Sequence, residues 1–194
     1  MTLEVCILAA GLGKRMMSDK PKVLHEIAGR PMLDHLLSSV MALGPDRTHV
    51  VVGQGADQVK AAFATRQINW VLQPQQRGTG HAVMQVVPHL ATTGKVLILL
   101  GDAPLVTVAT LRRMIEAPCD VGVLTTVVAD PFNYGRIIRG SGDALQRIVE
   151  ERDASPAQRA ITEINTGVMI VAAGVLPSLL ERLTTGNDQG EYLL

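Results

Sequence analysis

Short unbroken apolar runs alternate along the chain with stretches of helical spacing. Val5–Ala9 is apolar at every position, as in a strand covered on both faces. Met32–Leu43 puts Met32, Leu33, Leu36, Leu37, Val40 and Leu43 on one helical stripe. The same logic predicts strands at His49–Val52, Asn69–Leu72, Val96–Leu100 and Val121–Val128, and a helix over Ala56–Ala64. Gly80–Val87 predicts a helix that stops at Pro88, and Thr107 is placed to cap one running to Glu116. Such β-α-β alternation predicts an α/β, Rossmann-like fold with a mainly parallel sheet flanked by helices. Ligands in such sheets bind beyond the carboxyl ends of the strands. The informative loops are therefore those after Ala9, Leu72 and Leu100.

The pattern changes after Asp130. Gly135–Arg139 and Leu145–Val149 read as two strands joined by a hairpin loop at Gly140–Ser141–Gly142. Glu163–Val171 reads as a further strand and Gly174–Leu183 as a closing helix. The reading is one domain over residues 1–194, with a first part to about residue 130 and a second lobe over residues 131–194.

Composition narrows the ligand class. Formal net charge is zero and aromatics are 3%, without the basic stripe and stacking rings of a nucleic-acid binder. No apolar stretch approaches a membrane span, and Glu4 interrupts the N-terminal apolar run, so neither membrane nor secretion is expected. Two cysteines, Cys6 and Cys119, suit a reducing compartment better than a disulfide framework. The expectation is a cytoplasmic protein that handles a small molecule.

Leu8-Ala9-Ala10-Gly11-Leu12-Gly13-Lys14-Arg15-Met16 follows the first strand. Small residues let backbone N–H groups approach phosphate oxygens, and Arg15 and Lys22 add charge that can clamp a polyphosphate. Pro21 stiffens the backbone that presents Lys22. A Walker A loop would need Gly at position 8 and Ser or Thr at 15; a dinucleotide fingerprint would need Gly at 16. On its own the loop also fits a plain tight turn.

Further motifs follow in order: Gln73-Pro-Gln-Gln76-Arg-Gly78-Thr79-Gly80-His81-Ala82, Gly101-Asp102-Ala-Pro104-Leu105, Tyr134-Gly135-Arg136-Ile137, Ile148-Val149-Glu150-Glu151-Arg-Asp153-Ala154, Glu163-Ile-Asn165-Thr166-Gly167 and Gln189-Gly190-Glu191-Tyr192. With the loop and Pro21-Lys22-Val23-Leu24-His25, this set resembles the sugar-1-phosphate nucleotidyltransferases across the whole chain. Lys22-Val-Leu-His25 resembles the bacterial bifunctional N-acetylglucosamine-1-phosphate uridylyltransferases in particular. The sequence departs from that pattern at Lys14, where a small hydroxyl residue is usual, and at Leu100, where Tyr is frequent.

The resemblance implies a nucleotide-diphospho-sugar transferase fold. It implies transfer of UMP from UTP to N-acetylglucosamine 1-phosphate, giving UDP-N-acetylglucosamine and pyrophosphate for peptidoglycan and lipopolysaccharide precursors. Arg15 and Lys22 take the catalytic roles. Leu8, Ala9, Ala10, Gly11, Gly13, Lys22, Leu100, Gly101 and Asp102 line the nucleotide. Gln73, Gly78 and Thr79 read uracil, with Gln76 beside them. A primary amide offers a donor and an acceptor together, which suits the uracil edge. Asp102 ligates Mg²⁺, which prefers one or two carboxylates plus phosphate oxygens. Gly135, Glu150 and Asn165 contact the sugar from the second lobe. Of the histidines, His81 is expected to pack at a helix start and His25 to brace the loop.

A second Mg²⁺ ligand, an Asn, is implied beyond residue 194. So is a C-terminal left-handed β-helix that acetylates glucosamine 1-phosphate and builds a homotrimer; these 194 residues are then expected to be monomeric and without acetyl transfer. Two other readings stand beside this one. One is a guanylyltransferase of the molybdenum-cofactor type, against which the Gln73/Gln76 pair and Glu163–Gly167 argue. The other is a non-catalytic nucleotide-sugar sensor on the same fold.

Overall fold

The structure is a computed structural model and describes residues 2–11, 13 and 16–194. Three parallel pairings form its first half. β1 (Leu3–Leu8) lies between β4 (Arg47–Val52) and β6 (Lys95–Leu100), and β5 (Asn69–Leu72) flanks β4. The crossovers run through α1 (Met32–Met41), α2 (Ala56–Ala62) and α3 (Thr79–Val86). The chain steps outward from β1 to β4 and β5, then returns to the other side of β1 as β6. That reversal creates a switch point between the carboxyl ends of β1 and β6, where open α/β sheets hold ligands.

The apolar runs fill both sides of the sheet because adjacent residues of a strand face opposite ways. Val5, Ile7, Val50, Val52, Leu97 and Leu99 pack against Leu33, Leu36, Leu37 and Val40 of α1. Cys6, Val51, Val71, Val96 and Ile98 pack on the other face, against Ala82, Val83 and Val86 of α3. α6 (Leu176–Leu180) joins that second layer through Leu176 and Leu180. α4 (Val108–Glu116) joins the first through Leu111 and Met114. Its start is capped as expected: the Thr107 hydroxyl accepts from Thr110 N at 3.2 Å.

The second half is antiparallel. β7 (Val121–Val127), β8 (Arg136–Arg139), β9 (Leu145–Val149) and β10 (Glu163–Ala172) extend the same sheet. β10 pairs with β7 along both halves of its length. Its other edge meets β6 through Met169–Ala172 and β8 at Ile164, and its pairing with β7 shifts register between Asn165 and Met169. The sheet therefore splits where β6 ends, and Leu100 packs over Gly167 at that split.

Several elements differ from the sequence reading. Gly174–Leu183 yields only the short helix α6, which begins at Leu176 with Pro177 in its first turn and ends at Leu180. β8 and β9 form the expected antiparallel hairpin, and its loop carries a 3-10 turn over Ser141–Asp143 that the sequence reading did not include. Two small elements escape periodicity altogether. These are the hairpin β2 (Glu26–Ile27) and β3 (Arg30–Pro31), and α5 (Pro156–Arg159), which Ser155 and Gln158 hold with a reciprocal capping box. No described helix is long and apolar enough to cross a membrane.

Candidate active site

A cavity of about 730 Å³ opens at the switch point. Its walls are the three loops at strand carboxyl ends. Leu8, Ala9, Ala10, Gly11 and Gly13 come from the first, Gln73, Gln76, Gly78 and Thr79 from the second, and Leu100 and Asp102 from the third. Lys22 and Val23 close one side. Gly101 sits just beneath: its N–H donates to Leu8 O at 2.9 Å, tying the ends of β1 and β6 together. Arg15 lies outside the described residues, as do Leu12 and Lys14.

Lys22 opens a 3-10 turn after Pro21, and its ammonium forms an ion pair with Asp102 across the cavity. Both side chains keep about a third of their surface open, 36% and 33%. His25 braces this turn: its Nε2 donates to Lys20 O at 3.3 Å, and its own carbonyl accepts from Met32 N at 2.9 Å. Asp102 and Glu191 supply carboxylates to the cavity, and no group of three or more His, Cys, Asp or Glu that could hold a metal ion occurs among the described residues. Such a donor set fits a hard divalent cation that draws its remaining ligands from phosphate and water, and not a cation caged by protein alone.

Gln73 is buried, at 3% exposure, yet its side chain borders the cavity. Its amide nitrogen donates to Gly78 O at 3.2 Å and faces His81 Nδ1 at 3.0 Å. The amide is therefore not free to present both a donor and an acceptor, as its residue type alone allows. Protein partners take the nitrogen, and the oxygen is the open group. Gly78 has φ +106°, and the residues after it meet the chain's last stretch. Gly80 N donates to Tyr192 O at 2.8 Å, Tyr192 N to Arg77 O at 2.8 Å, and Leu194 N to Thr79 Oγ1 at 3.1 Å. The Arg77 guanidinium lies 5.3 Å from the centre of the Tyr192 ring, and the His81 ring stacks on the same Tyr192 ring with centres 6.5 Å apart.

The three residues expected to meet a sugar do not line this cavity. Glu150 lines a separate hollow of about 620 Å³ with Asp153 and Asn187. Burial, and then the neighbouring Asp153 carboxylate, push the Glu150 carboxyl up, with Arg136 opposing them. A Cβ on Gly135 would come 2.8 Å from Glu150 Oε1, so the space left by the missing side chain holds that carboxylate. Asn165 N donates to Gly135 O at 2.8 Å, and Asn165 Oδ1 accepts from Gly167 N at 2.9 Å. Gly135, Glu150 and Asn165 thus form one cluster, linked through Gly167 to Leu100 on the cavity wall.

Met16, Val23, Ala82 and Glu191 are further wall residues to which the sequence attached no role. All four stand inside quoted motifs, so position was the available signal; as residue types, Met16, Val23 and Ala82 look like ordinary apolar residues.

Residues 5–191 match the family profile of the MobA-like NTP transferase domain. The chain is 50% identical over 194 residues to the bifunctional protein GlmU of Cupriavidus pinatubonensis, covering 99% of this chain and 43% of that protein. It is 50% identical over 196 residues to the protein of the same name from Pseudomonas paraeruginosa, covering 100% and 43%. The counterpart from Idiomarina loihiensis is 47% identical over 196 residues, again covering 100% and 43%. The chain thus spans less than half the length of these relatives. In structure it is similar to a UDP-glucose pyrophosphorylase solved in complex with UDP-glucose, with a TM-score of 0.79 at 18% identity, covering 100% of this chain and 84% of that one. With the profile matching from the first strand to the C-terminal stretch, the chain belongs to the MobA-like NTP transferase family.

Proposed function

We propose that the chain transfers UMP from UTP to N-acetylglucosamine 1-phosphate, releasing pyrophosphate. The observation that carries this reading is the meeting of Lys22, Asp102, the glycine loop and the Gln73 amide around one cavity. The family description names an NTP and not its base, so the base and the sugar rest on the motif resemblance. The fold likeness to a protein solved with UDP-glucose supports a nucleotide sugar as the ligand class.

The sugar phosphate is already ionised at neutral pH, so no general base is needed. One of its oxygens attacks the α-phosphorus of UTP in line. The bond from that phosphorus to the bridging oxygen breaks, and pyrophosphate leaves with the electron pair. Catalysis then reduces to positioning and charge neutralisation. Backbone N–H groups of Ala10, Gly11 and Gly13 cradle the phosphates, Lys22 holds the α-phosphate or the incoming phosphate, and Arg15 steadies the departing pyrophosphate. Asp102 would hold Mg²⁺, which when bound neutralises phosphate charge and polarises the phosphorus. Gly135, Glu150 and Asn165 belong to the sugar side in this reading, reached through the Gly167–Leu100 contact. The whole protein's acetyl transfer, trimer and place in cell-envelope precursor synthesis belong to the same proposal.

Asp102→Ala tests it. Divalent-dependent pyrophosphate release should be lost while the circular dichroism spectrum is kept. A near-normal rate would remove Asp102 from cation binding. Turnover of GTP in preference to UTP would favour the guanylyltransferase reading instead.

A further inference from the structure

The Gln73 amide is held in one orientation by two groups, one in its own loop and one in the first turn of α3. Gly78 O, 3.2 Å from Nε2, can only accept, so the group facing it is the NH₂. The second amide proton then points at His81 Nδ1, 3.0 Å away, which must offer a lone pair. The shorter contact at Nδ1 places the His81 proton on Nε2, where Gln85 Nε2 faces it at the longer distance of 3.4 Å. Turning the amide over would set its oxygen against the Gly78 carbonyl, which can only accept, in a side chain that is 3% exposed. An unmet polar contact in a buried place opposes that flip. Gln73 Oε1 has no protein donor among the described residues and belongs to the residue that lines the cavity.

We propose that His81 is a positioning residue for base selection: it locks Gln73 so that an acceptor oxygen, and not the NH₂, meets the nucleotide base. Among pyrimidines this favours uracil, whose N3–H donates, over cytosine, whose N3 carries a lone pair. His81 does not itself line the cavity, so it acts through Gln73. Its own place is set by the Tyr192 ring stacked on it and by Gln85 Nε2 donating to its carbonyl at 3.1 Å. The inference rests on the uridine-nucleotide reading and deepens it.

The experiment is calorimetric titration of UTP and CTP into the wild-type chain, His81→Leu and His81→Asn, with circular dichroism as the folding check. Long-range ¹H–¹⁵N spectra of the wild-type histidine rings accompany it. Asn sets an acceptor oxygen near the position of Nδ1. We expect the wild-type preference for UTP to fall at least about tenfold in His81→Leu and to return in large part in His81→Asn. We expect His81 Nδ1 to be unprotonated. A folded His81→Leu that keeps the full preference, or a wild type with none, overturns the role of His81. So does a protonated Nδ1, which decides the matter alone if the Leu variant fails to fold. A wild type that binds neither nucleotide sinks the uridylyl reading itself, and this inference with it.

Discussion

Replacing Lys22 by Met separates the electrostatic part of the site from its packing. Met keeps the aliphatic stem that lies against Gly13, where an added Cβ would come 2.8 Å from Lys22 Cβ. What goes is the charge facing Asp102. Two unit charges about 4 Å apart attract by about 4 kcal/mol at an effective dielectric near 20. Water reaches both partners here, and exposed pairs of this kind keep only about 0–1 kcal/mol net. For a chain of this size that is a Tm change of at most about 4 °C. The transition state depends on the same ammonium more strongly. Losing one preorganised electrostatic donor costs about 2–4 kcal/mol, a fall of roughly 30- to 900-fold in kcat/KM. Divalent cation binding in the absence of nucleotide should tighten, because Asp102 no longer shares its oxygen with an ammonium. The assays are pyrophosphate release with UTP and N-acetylglucosamine 1-phosphate, thermal melting, and calorimetric cation titration. A loss confined to KM would mean that Lys22 binds ground state and transition state alike. A Tm fall well beyond about 4 °C would make the residue structural, and an unchanged cation affinity would refute the competition.

Two further tests address the antiparallel half of the sheet. The Arg136 guanidinium is buried with 2% of its side chain exposed, and Glu151 Oε2 accepts from it at 2.6 Å. Glu151→Ala should cost about 3–5 kcal/mol by leaving a buried charge uncompensated, seen as a Tm fall of roughly 6–20 °C; a change within about 2 °C would contradict the account. Glu163 is held at about 2, below its ordinary 4.5, chiefly by its hydrogen bond from Arg139 and then by that from Thr125. A depressed carboxyl stabilises the fold above its unfolded pKa and loses that contribution as pH falls through the folded one. The acid limb between 4.5 and about 2 should therefore flatten in Glu163→Gln, and an unchanged limb in melts across that range would remove Glu163 from it.

The parallel half was legible because its strands are buried on both faces and its helices have one apolar face. Val5–Ala9 reads as a core strand for the same reason that Cys6 is shut away, its thiol pushed up to about 12 by burial. Thr107 announced α4 because a hydroxyl before an apolar helix satisfies a free N–H. Local pattern failed where tertiary contacts decide. Nothing near Gly174 says that the helix ends by Leu180, and the two-residue strands β2 and β3 are too short to carry a period.

The site divides along the same line. Lys22, Gln73 and Asp102 stand on loops that leave carboxyl ends of parallel strands, so topology alone brings them to one cavity. Gly135, Glu150 and Asn165 come from antiparallel segments, whose register is set by pairing and by the shift in β10 between Asn165 and Met169. A sequence shows residue types, not which of two faces such a strand presents after a register shift. That is why the sequence does not show Glu150 beside Gly135, where the folded chain brings its carboxylate to the space a Cβ would fill. The same limit holds within the nucleotide loop. Gln73 is visible as an amide, but only the carbonyl of Gly78 and the ring of His81, brought round by the turn, decide that its nitrogen is taken and its oxygen left open.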